Sequence, residues 1–167
     1  MEFSSVNITP KKILVLTPRF PYPVIGGDRL RIYELCKEAS KTHSLTLLSF
    51  CESEREMKYN LPDDGVFDSV HRVYLPRYVS FFNCVRALPT SVPLQVAYYK
   101  SQKFRDKVKE LCRESDLVLS HLVRVAQYAK DLPIPKVLEM TDAISMNYDR
   151  VCKTENKVGI KGLIYRL

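Results

Sequence analysis

Apolar runs alternate with amphipathic stretches along most of this chain. Short continuous apolar runs such as Ile13 to Leu16 are the kind that a parallel sheet buries on both faces. The pattern predicts strands over Lys12 to Thr17, Leu45 to Phe50, His71 to Leu75, Leu117 to Ser120 and Val137 to Met140. Between them, helical spacing predicts helices over Asp28 to Lys41, Phe81 to Leu88, Ser101 to Glu114 and Leu122 to Lys130, with another beginning near Ile144. Glu52 to Phe67 is rich in charge and carries Pro62, Asp63, Asp64 and Gly65, so it reads as a short helix followed by a turn. Alternation of this kind implies an α/β fold, a Rossmann-like open and mostly parallel sheet with helices on both faces. No repeat, low-complexity segment or linker divides the chain, so residues 1–167 are expected to form one domain.

The turn between the first strand and the first helix carries the clearest chemistry. It is Pro-rich and ends in Gly26-Gly27, just ahead of Asp28, which is placed to cap the helix. Backbone N–H groups at a helix start are unpaired and partly positive, and glycines leave room for a phosphate to reach them. Paired glycines also mark sharp turns and close packing, and that reading stays open. The spacing is neither GxGxxG nor that of a P-loop, because no Lys-Ser or Lys-Thr follows.

The whole phrase KILVLTPRFPYPVIGGDRLRIYELCKEASKTHSLTLLSF, from Lys12 to Phe50, resembles the N-terminal signature of bacterial glycosyltransferases of the large retaining family 4. Two later stretches add to the likeness: DLVLSH, Asp116 to His121, and KVLEMTDAIS, Lys136 to Ser145. The resemblance implies the GT-B architecture, in which two Rossmann-like domains face each other across a cleft. The first takes the acceptor and the second most of a nucleotide-sugar donor. A chain of 167 residues fills one such domain, so it is expected to be the N-terminal half of a truncated protein, inactive alone.

Given that resemblance, Gly26 and Gly27 are expected to admit the donor diphosphate. His121 is the expected catalytic residue, since it follows a strand at the carboxyl edge where open α/β sheets hold ligands, and in similar enzymes a histidine there meets the transferred sugar. A histidine that only caps or packs is the competing reading. Asp142 is assigned acceptor binding or loop ordering, against simple helix capping, and Glu139 is expected on the face opposite Leu138. Arg19, Tyr22 and Arg124 are expected to line the same opening. The partners implied are a nucleotide-sugar donor and a glycan or lipid-linked acceptor in cell-surface polysaccharide synthesis. No cofactor or metal is expected: helix ends and basic side chains neutralise the diphosphate, and His43, His71 and His121 have no metal-site spacing. The alternatives are a GT-B epimerase of nucleotide sugars and a non-catalytic docking module with a basic surface.

Composition changes this picture only at the surface. A hydrophobic content of 46% with 27% charged residues fits a folded globular domain, and the first ten residues lack the basic start and apolar core of a signal peptide. The cytoplasm is the expected compartment. Five cysteines, Cys36, Cys51, Cys84, Cys112 and Cys152, form no CxxC pair and are expected to be reduced and mostly buried. The net charge of +7 is uneven: Pro76 to Lys100 holds Arg77, Arg86 and Lys100, no acid, and the aromatics Tyr78, Phe81, Phe82, Tyr98 and Tyr99. Such a segment suits an anionic membrane at the inner face or stacking on nucleic-acid bases, and if its aromatics are core it is an ordinary solvated edge. Arg150, Lys153, Lys157, Lys161 and Arg166 extend the basic character. Nucleic acid is not expected, because the motifs of its common recognition modules are absent.

Overall fold

The computed structural model describes residues 9–140. Five parallel strands form one sheet: β1 (Lys12–Thr17), β2 (Ser44–Cys51), β3 (Ser69–Tyr74), β4 (Leu117–His121) and β5 (Lys136–Glu139). Their spatial order is β3-β2-β1-β4-β5, so the connections run outward from β1 in one direction and then in the other. This is the Rossmann-like α/β sheet that the apolar pattern predicts.

Successive side chains of a strand point to opposite faces, and here each face is covered. Ile13, Val15, Leu45, Leu47 and Cys51 pack beneath α1 (Gly27–Ala39) through Ile32 and Cys36. Leu14, Leu16, Leu48, Phe50 and Val118 pack on the other side against Phe104 and Val108 of α5 (Gln102–Cys112). The two-sided burial explains why β1 reads as a continuous apolar run. Phe50 stacks on Phe104 with ring centroids 3.9 Å apart, and Tyr128 closes against Phe104 at 4.8 Å. Among the described residues Cys36, Cys51, Cys84 and Cys112 are free, and burial pushes the Cys36 and Cys51 thiols up to about 12.

Several boundaries differ from the sequence reading, each for a local reason. Asp28 does not cap α1: Gly26 does, at φ 100°, and the Asp28 carboxylate instead accepts from the neighbouring Arg29 N–H at 2.9 Å. β3 starts two residues before His71. α3 (Arg77–Ala87) starts four residues before Phe81, with Pro76 at its N-cap in an extended conformation that launches the helix instead of ending one. Pro93 does the same for α4 (Leu94–Tyr98), a helix the sequence reading lacked. The helix expected from Leu122 to Lys130 shrinks to α6 (Val123–Ala126) and turns, since Leu122 sits at φ 67° and cannot belong to a helix. α2 (Glu54–Met57) is the short helix expected after Glu52, capped by Ser53.

The aromatics of the basic segment divide. Tyr99 is buried, whereas Tyr78, Phe81 and Phe82 are 68%, 67% and 63% exposed, so core packing does not account for them. Asp142, the helix expected near Ile144, Cys152 and the basic residues from Arg150 to Arg166 lie outside the described residues. No described helix is long and apolar enough to cross a membrane.

Candidate active site

In an open α/β sheet the crevice that takes ligands lies beyond the carboxyl ends of the strands, where the strand order reverses. Here that point falls between β1 and β4. β1 delivers the Pro-rich turn and the Gly26-Gly27 start of α1, and β4 ends in His121. The sheet thus brings together two sequence features 95 positions apart.

The turn is anchored from below. Phe20 is fully buried, and the Arg72 guanidinium lies 4.2 Å over its ring while donating to the carbonyls of Met57 (2.8 Å) and Tyr59 (2.5 Å). A cis bond joins Tyr22 to Pro23, and Ile25 N–H donates to Pro23 C=O at 2.7 Å. Gly26 then adopts its positive φ, a conformation that L side chains rarely reach. Gly27 is different: a Cβ there would meet nothing within 4 Å. Both glycines are exposed, and the Gly27 and Asp28 amides have no acceptor among the described residues, leaving open donors at the head of a 13-residue helix.

His121 is buried, at 3% exposure, yet it is not packed as an inert ring. Its Nδ1 lies 2.5 Å from Glu139 Oε2, and Arg31 Nε donates to Glu139 Oε1 at 2.6 Å. The register pairs His121 with Glu139 across β4 and β5, while Arg31 reaches over from one turn inside α1. This chain of contacts ties the glycine loop to the histidine. Burial pushes the His121 pKa down, opposed by the Glu139 carboxylate and by the more distant Asp28. A neutral ring that gives its Nδ1–H to Glu139 keeps Nε2 as its acceptor. The chain leaves His121 through Leu122, a non-glycine residue at positive φ, a conformation that costs about 1–3 kcal/mol and concentrates at functional sites. Leu122 N–H donates to the Glu139 carbonyl at 2.8 Å, which holds the turn in place.

A second group of charges gathers beside the first. Arg124 acts on both His121 and the buried Tyr99, and Arg19 lies against Tyr99 with Glu52 close by. Burial works against the Arg19 charge, but Tyr99, Glu52 and Asp28 more than offset it and raise its pKa. Burial also raises the Tyr99 pKa, with Arg19 and Arg124 opposing. Two cations therefore converge on one phenol near the same strand ends. The Tyr22 ring packs 6.2 Å from that of Tyr33, whose hydroxyl donates to Asp64 at 2.6 Å. Asp142 lies outside the described residues.

Arg31, Glu52 and Tyr99 escaped the sequence reading, as did the bond from Glu139 to His121. Strand register, which no linear motif records, makes that bond. On the opposite face of the same strands, Ser120 and Leu138 line an apolar recess of about 410 Å³ that does not include His121.

No protein-family profile matches this chain, and neither does any curated protein sequence. Solved structures similar to it include TcCGT1 in complex with UDP, with 12% identity and a TM-score of 0.48 over 89% of this chain and 33% of that one. A UGT transferase from Siraitia grosvenorii in complex with UDP gives 19% identity and a TM-score of 0.47 over 87% and 32%. Phytolacca americana UGT2, complexed with UDP-2-fluoro-glucose and pterostilbene, gives 17% and 0.48 over 91% and 36%. The chain thus spans about a third of the length of these structures. At these TM-scores the likenesses add nothing to the strand order, which itself makes the fold assignment.

Proposed function

We propose that this chain is the acceptor-side, N-terminal half of a retaining GT-B glycosyltransferase of the family 4 type. It moves a sugar from a nucleotide-sugar donor to a glycan or lipid-linked acceptor in cell-surface polysaccharide synthesis, and it works in the cytoplasm. The observation that carries this reading is the bridge from the glycine loop through Arg31 and Glu139 to His121, set at the switch point of the sheet.

In this reading the open amides of Gly27 and Asp28 receive donor diphosphate oxygens, and Arg19 and Arg124 add positive charge near the leaving group. The acceptor hydroxyl attacks the anomeric carbon as the bond from that carbon to the diphosphate oxygen breaks, and the departing diphosphate takes the hydroxyl proton. His121, held neutral by Glu139, accepts a hydrogen bond through Nε2 from the sugar or from the attacking hydroxyl. Asp142 assists acceptor binding, Tyr22 lines the same opening, and a second α/β domain supplies most donor contacts. No metal takes part.

The test is nucleoside diphosphate release by the intact gene product with a panel of nucleotide sugars and a glycan or lipid extract. His121→Ala is expected to lower release by about a hundredfold or more. Absence of release with every donor would favour the epimerase or the non-catalytic docking module instead.

A further inference from the structure

We propose that α3 is a membrane-docking element that seats its outer face on an anionic bilayer surface. Tyr78, Phe81, Phe82 and Val85 recur at three- and four-residue spacing, and Leu88 continues their line past the helix end. All five are exposed, while Ser80 and Ala87 face the protein. A globular surface rarely leaves three neighbouring aromatic rings two-thirds exposed on one helix without an interaction to serve.

The charges around the stripe identify the occupant. Arg77 and Arg86 flank it, and no acid occurs from Pro76 to Lys100. Arg77 remains 81% exposed although its Nε reaches Glu52 at 3.3 Å. Beside the stripe, Arg86, Lys100 and Arg105 line an open pocket of about 520 Å³ with amide and hydroxyl groups between them. Among the described residues the one carboxylate bonded to that lining, Asp106, accepts from Gln102 at 2.8 Å. A bilayer interface offers apolar depth for the rings and anionic headgroups for the flanking bases, and this pocket suits a headgroup phosphate. A protein partner would have to supply both an apolar groove and an acidic rim. The helix follows β3 directly and its first residue touches Glu52, so the docking face starts at the same end of the sheet as the candidate site. A surface placed there presents a lipid-linked acceptor to that site, although docking itself does not depend on the transferase reading.

The sequence holds no tryptophan, so Phe82→Trp makes a single fluorescent reporter within the stripe. With phosphatidylcholine/phosphatidylglycerol vesicles its emission is expected to shift to the blue, with little change for phosphatidylcholine alone. Co-sedimentation with the anionic vesicles is expected to fall more than about tenfold for Phe81→Ser/Phe82→Ser. Arg86→Gln is expected to weaken it about fivefold, and added salt to weaken it further. These positions are exposed, so circular dichroism should show unchanged folding. If the double variant nonetheless unfolds, Phe82→Trp and Arg86→Gln carry the test. Unchanged emission, or equal binding to neutral vesicles, would overturn the proposal. So would a concentration-dependent dimer that the serine variant abolishes without any vesicle binding, which would make the stripe a contact between copies of this chain. Because vesicle binding is read without any sugar donor, its failure and failure of the transferase reading are separate results.

Discussion

Adjacent glycines in the loop after β1 do different work, and stability measurements can separate them. Gly26 holds φ 100° and ψ 151°, and a Cβ there would approach Asp28 Oδ1 at 3.3 Å. Gly26→Ala is therefore expected to destabilise the chain by about 1–3 kcal/mol, read from urea unfolding. Gly27 has ordinary helical geometry and open space around its Cα, so Gly27→Ala is expected to leave stability unchanged or raise it by up to about 1 kcal/mol. If Gly27→Ala leaves folding intact but abolishes sugar transfer in the intact gene product, the open space serves a ligand. Full activity in that variant would assign the pair to the turn alone. The sequence shows both glycines equally, and only the backbone angle distinguishes them. The place of His121 at the carboxyl end of β4 was legible from the apolar run before it. Its partner Glu139 was not, because that contact depends on how β5 registers against β4.

At the scale of elements, the central strands were legible because they are apolar on both faces, whereas the connections obeyed local geometry that composition does not encode. Pro76 and Pro93 sit at the N-caps of α3 and α4, so these two prolines begin helices. The apolar spacing after His121 continues a helical pattern, yet the positive φ of Leu122 delays the helix and the chain soon turns again. The loop after α2 depends on one side chain: Arg72 of β3 stacks on Phe20 and holds the carbonyls of Met57 and Tyr59. Arg72→Ala leaves two carbonyls without their charged donor and removes the cation from the ring, at an expected cost of about 2–3 kcal/mol. Arg72→Lys should recover only part of this, since a lysine presents a point charge instead of a planar fork. Equal unfolding midpoints for Arg72→Ala and the unaltered chain would mean that Phe20 is held by apolar packing alone.

For the whole molecule, the site and the charge balance predict sensitivity to mild acid. The chain already carries a net charge of +7, so each added proton increases self-repulsion. Burial holds the His121 pKa below its ordinary value despite Glu139, and the His71 pKa is lowered as well, first by burial and then by Lys107. In the unfolded chain both imidazoles take up a proton near their ordinary pKa of about 6.5. Above that pH both states are neutral at these positions and the contribution is fully present. As pH falls below about 6.5 the unfolded state binds protons that the folded state refuses, so stability declines until the lower folded pKa is passed. Denaturation midpoints measured from about pH 8 to about pH 5 should therefore fall with acid. His121→Gln, whose amide can still donate to Glu139, should flatten that decline, and addition of His71→Gln should flatten it further. Glu139→Gln should steepen it, because the one strong influence favouring the charged ring is then gone while burial remains. A His121→Gln profile parallel to that of the unaltered chain would show instead that His121 takes up its proton at the same pH in the folded and unfolded states, with Glu139 offsetting burial in full. The ring would then donate from both nitrogens below about pH 6.5, and an Nε2 acceptor role toward a sugar hydroxyl would be confined to higher pH.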